Sequence, residues 1–310
     1  MPDLDAPLNS IHYRLFYPAT YGGTDNERLT GQLPADPALA PWPIAIVMPG
    51  INVGPEGYRW LAIRLAESGI AALTYALLTE VMPDMVGISP GLDLGAVSVG
   101  EYGTRPSATA IAPLISALHD ENASGPLAGL LAPDMIALIG HSAGGTVALE
   151  NADPQWFFGV RAVISYGSHT MPALPLGHPP GTVLAVPADV PALIMAGDCD
   201  GVIQASIDRY GGDLTLHNPV RRTFNEGLTG RRGDSYRVVI GGGTHLSMLD
   251  PIDMTSARGF LDPIGEEAES VRACIGDLCV AFCRQTMADA PQSVMSAALS
   301  NDLVEEWECR

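Results

Sequence analysis

MIALIGHSAGGTVALEN, residues 135–151, sets the architecture. Residues 135–140 are an apolar run ending at glycine, the signature of a buried strand. Residues 143–151 are small and helix-compatible. Between them stands Gly140-His141-Ser142-Ala143-Gly144, a G-x-S-x-G pattern with Gly145 behind it. In a strand-to-helix context this pattern makes a turn so sharp that its serine takes a strained backbone conformation. The residues two before and two after the serine must then be small, and Gly140 and Gly144 meet that need. Such a turn lifts the Ser142 hydroxyl above the carboxyl end of a sheet. It also aims the Ala143 N–H, near a helix N-terminus, at the place where an oxyanion forms. The pattern alone arises often by chance; the strand before it and the helix after it give it weight.

Outward from this unit, short apolar strands alternate with helical patterns. Strands are expected at 11–17 (an edge strand), 43–48, 70–78, 160–166, 191–196 and 236–240. Helices are expected at 57–68, 106–121 and 267–287. The alternation predicts an α/β fold: a mostly parallel central sheet with helices on both faces. Residues 79–105 and 167–190 break the rhythm with Gly and Pro, and are expected as loop insertions near the site of a single 1–310 domain.

A serine hydroxyl is a weak nucleophile and needs a base, which in turn needs a carboxylate to orient it. Residues 191–203 read PALIMAGDCDGVI, a strand followed by a turn that offers Asp198 and Asp200. Asp200 is preferred, because it lies where the loop can reach across to a histidine; Asp198 reads better as a loop cap. Residues 237–249, RVVIGGGTHLSML, place His245 on a glycine-rich loop just past the last buried strand. His12, His119, His169, His178 and His217 sit in the wrong order or context, and His141 cannot fold back to serve its own neighbour. A second oxyanion donor is expected from the loop Met48-Pro49-Gly50-Ile51-Asn52, through the N–H of Ile51.

Composition narrows the chemistry. Hydrophobic residues make up 47% of the 310 and charged residues 16%, enough apolar material for a large core. With 16 Lys plus Arg against 35 Asp plus Glu, the net charge of −19 disfavours nucleic acids, polyanions and anionic membranes as partners. It favours a neutral or cationic small molecule. No leader or membrane span is legible, so a cytoplasmic setting is expected. Of the five cysteines, the three in CIGDLCVAFC read as small buried hydrophobes on a helix rather than metal ligands. Neither metal nor organic cofactor is expected.

The segments MPGINVGPEGYRWLAIRLAESGIAALTYA, IALIGHSAGGTVAL, ALIMAGDCDGVI and VIGGGTHLSM together resemble the chlorophyllase, cutinase-like polyesterase and dienelactone hydrolase branch of the α/β-hydrolases, over most of residues 43–250. The resemblance implies the α/β-hydrolase fold, with oxyanion N–H groups from Ile51 and Ala143. Three departures qualify it. Secreted polyesterases commonly carry an aromatic where Ile51 stands, and paired C-terminal cysteines. Dienelactone hydrolases use a cysteine nucleophile where this chain has Ser142.

The expected chemistry is hydrolysis of a carboxylic ester of a neutral, apolar small molecule through an acyl-enzyme, with Ser142 as nucleophile, His245 as base and Asp200 as its orienting acid. Met82, Met85, Leu92, Leu94, Leu174 and Leu176 of the two irregular segments would line the pockets. Acyl transfer or thioester hydrolysis could use the same three residues. A non-catalytic ligand binder is a further alternative, and such proteins typically lose one of the three. Oligomeric state is undecided.

Overall fold

The computed structural model describes residues 8–82, 84–186, 190–211, 218–256, 258–263, 268–288 and 290–310. Among these, nine strands form one sheet: β1 (Ile11–Phe16), β2 (Trp42–Met48), β3 (Ala71–Met82), β4 (Met85–Ser89), β5 (Leu131–His141), β6 (Val160–Tyr166), β7 (Ala192–Gly197), β8 (Tyr236–Ile240) and β9 (Val304–Cys309). The helices are α1 (Asp25–Thr30), α2 (Arg59–Glu67), α3 (Ile111–Ser124), α4 (Ala143–Asn151), α5 (Gly201–Gln204), α6 (Pro219–Arg222), α7 (Ala268–Met287) and α8 (Ser293–Leu299). The spatial order is β1-β3-β2-β5-β6-β7-β8-β9, with β4 pairing β3 off this path. The pairs from β3–β2 through β7–β8 are parallel; β1, β4 and β9 join antiparallel. The architecture is therefore α/β with a mostly parallel mixed sheet.

Alternation along the strands sends neighbouring residues to opposite faces. In β2, Ala45 and Val47 join one buried cluster, with Leu61 and Leu65 of α2, Ile275 and Phe282 of α7, and Met295 of α8. Ile44, Ile46 and Met48 join the other, with Ile111, Leu114 and Leu118 of α3 and Val147 and Leu149 of α4. The 3–4 residue spacing in α3 is what gives that helix one apolar stripe. Each such leucine or isoleucine, fully buried, contributes roughly 1.5–3 kcal/mol.

Between β2 and β5 the chain changes direction of travel across the sheet. β2 leads to β3 on one side, and β5 then returns to the other side of β2. In open parallel sheets such a switch leaves a crevice at the carboxyl ends of the strands. Here Met48 is in register with Gly140, and Gly140 with Ser165. The segments that follow β2, β5 and β6 thus leave the sheet side by side.

The expected strands and helices are present, with shifted ends. The helix expected at 106–121 begins only at Ile111. The backbone N–H groups of Ser107 and Ala108 instead donate to the side-chain oxygen of Asn151 at 2.8 and 2.9 Å, and that of Thr109 to the carbonyl of Gly91, which draws 106–110 into a loop. Residues 79–105 are not loop throughout. β3 runs on to residue 82 and β4 folds back on it, with Leu77 opposite Ser89. The remainder ties to the other irregular segment: Tyr102 donates its hydroxyl to the carbonyl of Ala185, and a His178 ring nitrogen lies 2.8 Å from the carbonyl of Val97. β9 is also absent from the sequence-based expectations. Its Glu306 and Glu308 pair with Arg237 of β8, which is 3% exposed, so the edge strand covers a buried guanidinium.

Glu150, near the end of α4, is buried, and burial pushes its carboxyl from 4.5 up to about 8. Below about pH 4.5 this group is neutral both folded and unfolded. As pH rises towards 8, the unfolded chain releases the proton while the fold retains it, and stability falls. Glu150→Gln should therefore melt several degrees above the wild type at pH 8.5, with the gap shrinking towards pH 5; thermal unfolding at the two pH values checks this.

Candidate active site

Ser142 sits between β5 and α4 with φ 54° and ψ −126°, a backbone conformation that costs a non-glycine residue about 1–3 kcal/mol. Its surroundings hold it there. Its N–H donates to the carbonyl of Tyr166, and its carbonyl accepts from the N–H groups of Gly145 and Thr146 and from the Ser168 hydroxyl. The flanking glycines are compulsory on contact grounds. A Cβ on Gly140 would lie 2.3 Å from the Gly144 carbonyl oxygen, and one on Gly144 would lie 2.3 Å from that of Met48. A methyl at either site would push the turn away from the backbone that braces it.

The serine hydroxyl lies 2.9 Å from His245 Nε2, and His245 Nδ1 lies 2.8 Å from Asp200 Oδ2. Residues 142, 200 and 245, distant along the chain, are thus brought into one hydrogen-bonded chain, with His245 and Asp200 both buried. The carboxylate accepts from Nδ1–H, which leaves Nε2 to accept from the serine. Asp198 is exposed, its side chain beside Cys199, and it is Asp200 that His245 Nδ1 meets. The loop-capping role assigned to Asp198 in the sequence falls to Asp200 as well, since its Oδ1 accepts the N–H of Ile203 at the start of α5, 2.8 Å away. One carboxylate both orients the imidazole and caps a helical turn.

A second buried carboxylate underpins the first. Asp262 Oδ1 accepts from the N–H groups of His245 (2.9 Å) and Gly201 (3.1 Å), and Oδ2 from that of Leu246 (2.9 Å). It binds the loop after β7 to the loop after β8. The Tyr166 hydroxyl, at the end of β6, donates to the carbonyl of Thr244. Gly167, with φ +60°, passes beneath the pair; a Cβ there would lie 2.9 Å from His245 Nδ1 and 3.1 Å from Asp200 Oδ2.

On the other side of Ser142 lies the loop after β2. A Cβ on Gly50 would lie 3.3 Å from that of Ser142. Among the described residues, the N–H groups of Ile51 and Ala143 donate no hydrogen bond; Ala143 follows the serine, and Ile51 follows Gly50, which lies against it. Asn52, the next residue, takes a left-handed conformation itself, φ 59°. Its N–H donates to the carbonyl of Ile88, and its side-chain oxygen accepts the Ile88 N–H at 3.2 Å. The β3–β4 arm therefore clamps this loop. Ile51, Met85 and Val86 expose apolar side chains along the arm and loop.

Sequence reasoning missed Asp262, Asn52 and Tyr58, whose buried hydroxyl accepts the Gly50 N–H at 2.9 Å. Only Asn52 carried a signal, because asparagine tolerates positive φ better than most residues. His169 packs edge-on against Tyr210 at 4.4 Å, and burial lowers it to about 4, so it stays neutral. His12 and His119 are exposed, and His217 lies outside the described residues. Of the apolar residues expected to line pockets, Leu94 and Leu174 are exposed, Leu92 and Leu176 half-buried, and the Met82 side chain is outside the described part. Cys274, Cys279 and Cys283 are buried free thiols on α7. Among the described residues, no cluster of three or more His, Cys, Asp or Glu is arranged to hold a metal ion, and no helix is long and apolar enough to cross a membrane.

No protein-family model matches the chain, and no curated protein is similar to it in sequence.

Asp262→Ala would leave three backbone N–H groups without their acceptor. At about 1–3 kcal/mol for each such loss, offset where water enters, the expected destabilisation is about 3 kcal/mol. Urea unfolding measures it, and Asp262→Asn, which keeps one carbonyl acceptor, should lose less.

Proposed function

We propose that the chain is a serine hydrolase of the α/β-hydrolase fold that cleaves carboxylic esters of neutral, apolar small molecules. The observation that carries this reading is the hydrogen-bonded chain from Ser142 through His245 to Asp200, at 2.9 and 2.8 Å. It begins at a strained serine, followed in the chain by Ala143, whose N–H is free among the described residues, as is that of Ile51 on the neighbouring loop. Strain at a buried turn is costly and persists where the surroundings over-determine it, which is a common feature of reactive sites.

In this mechanism the Ser142 hydroxyl attacks the ester carbonyl carbon as His245 Nε2 takes its proton. Asp200 holds the imidazole in the tautomer that presents a bare Nε2, and stabilises the imidazolium that forms. The carbonyl oxygen, now an oxyanion, receives hydrogen bonds from the Ile51 and Ala143 N–H groups. By analogy with single-donor deletions, each is worth about 3 kcal/mol. His245 then passes its proton to the departing alkoxide, which leaves an acyl group on Ser142. A water molecule, deprotonated by the same imidazole, attacks this ester and frees the carboxylic acid and the serine.

The apolar preference rests on two features. The net charge of −19 repels anionic substrates. Ile51 on the oxyanion loop, and Met85 and Val86 on the arm that Asn52 clamps to it, are exposed apolar side chains. A 4-nitrophenyl ester panel should accordingly show kcat/KM rising from acetate to butyrate or longer. Highest turnover on acetate would contradict the apolar pocket. Ser142→Ala should lower kcat by about four orders of magnitude or more. Gly167→Ala, whose methyl would press on the His245–Asp200 pair, should lower kcat by about two orders or more by displacing it; wild-type kcat in that variant would contradict the role given to this geometry.

A further inference from the structure

A second buried polar chain runs behind the first. The Gly50 N–H donates to the Tyr58 hydroxyl oxygen at 2.9 Å, and that oxygen lies 2.9 Å from His141 Nδ1. His141 Nε2 lies 2.8 Å from the backbone carbonyl oxygen of His245. Tyr58 and His141 are both 0% exposed. The protons can be assigned. A carbonyl only accepts, so His141 Nε2 carries the hydrogen. Burial lowers His141 to about 3, with the neighbouring His245 adding to the effect, so the ring is neutral and Nδ1 is an acceptor. The Tyr58 hydroxyl, which burial keeps protonated, donates to it and accepts from Gly50. Every polar atom of the relay is satisfied in one direction: Gly50 to Tyr58 to His141 to the His245 carbonyl.

The relay joins three segments. Gly50 precedes Ile51, whose N–H is one oxyanion donor in the hydrolase reading. His141 precedes Ser142. His245 is the base itself, and its ring lies 5.0 Å, centroid to centroid, from that of His141. Gly50 also lies close to the His141 ring, since a Cβ on it would meet Nδ1 at 3.4 Å. Asp200 and Asp262 fix the base loop from the acid side, and Asn52 fixes the oxyanion loop from the arm side. Apolar packing of Val53 with Leu246, Met248 and Leu249 also joins the oxyanion loop to the base loop, but among the described residues this relay is their hydrogen-bonded link through side chains.

We propose that Tyr58 and His141 are positioning residues that set the distance between the oxyanion donors and the base, so that the carbonyl oxygen and the serine proton are received together. The catalytic part rests on the hydrolase reading; the relay itself does not. His141 takes no proton in the reaction, because both its nitrogens are engaged.

The test separates these parts. Tyr58→Phe keeps the ring and removes the hydroxyl. With 4-nitrophenyl butyrate, kcat should fall about 10- to 100-fold while KM stays within about twofold. Near-UV circular dichroism should show the native fold. His141→Gln keeps a donor near the Nε2 position, and His141→Asn keeps an acceptor near Nδ1; each should retain several-fold more kcat than His141→Phe, which fills the space with neither. If His141 only filled space, Phe would be tolerated at least as well as the amides. Amide hydrogen exchange at Gly50 gives a readout independent of turnover, and should speed up about tenfold or more in Tyr58→Phe. Unchanged exchange at Gly50 would overturn the relay. A wild type that hydrolyses esters, with kcat of Tyr58→Phe within twofold of it, would overturn its positioning role. A wild type that hydrolyses no ester would overturn the hydrolase reading and the catalytic purpose with it, while the Gly50 result would still decide whether the relay exists.

Discussion

The close approach of backbone to backbone at Gly140 and Gly144 is the constraint on which the rest depends. The start of α4 presses against the carbonyls of Met48 and Pro49, and the end of β5 against α4 itself, at distances no side chain tolerates. That packing forces Ser142 to φ 54° and stands its hydroxyl clear of the sheet. It also brings the loop after β2 within reach of the serine. With a Cβ at either glycine the turn would relax, the strain would go, and the loop after β2 would move away from the serine.

The other half of the site is an exercise in satisfying buried polar groups. The loops after β7 and β8 are short and bend sharply, and the N–H groups of Gly201, His245 and Leu246 turn to side-chain rather than backbone acceptors. Two carboxylates supply the acceptors. Asp200 divides its oxygens between His245 and the first turn of α5, while Asp262 takes three N–H groups across both loops. Buried charges of this kind are costly unless fully hydrogen-bonded. Here the bonds that offset the cost also set the imidazole angle. Rigidity of the imidazole and stability of the fold are therefore the same interactions.

What was legible in the sequence, and what was not, follows from how far each signal travels along the chain. The G-x-S-x-G turn is local: strand, turn and helix lie within 17 residues, and apolar runs such as PALIMA and YRVVI mark their strands directly. Ser142, His245 and Asp200 could be picked by order and by their place just past strands. β4 and β9 could not. MVGIS is short and sits in a glycine- and proline-rich stretch, and VEEWEC is an edge strand whose charges make sense only beside Arg237. The onset of α3 was read five residues early, because the Asn151 side chain that captures 107 and 108 lies 44 positions away. Asp262 and Tyr58 act through partners that only the fold supplies.

The central claim is that Ser142 is an activated nucleophile. Intact-protein mass spectrometry after exposure to a fluorophosphonate, followed by peptide mapping, tests it most directly. The account predicts one phosphonyl adduct per chain, on Ser142, formed in the folded protein and lost both on unfolding and in His245→Ala. A folded chain that stays unmodified at Ser142 after prolonged exposure, or an adduct that forms equally fast in His245→Ala, would contradict it.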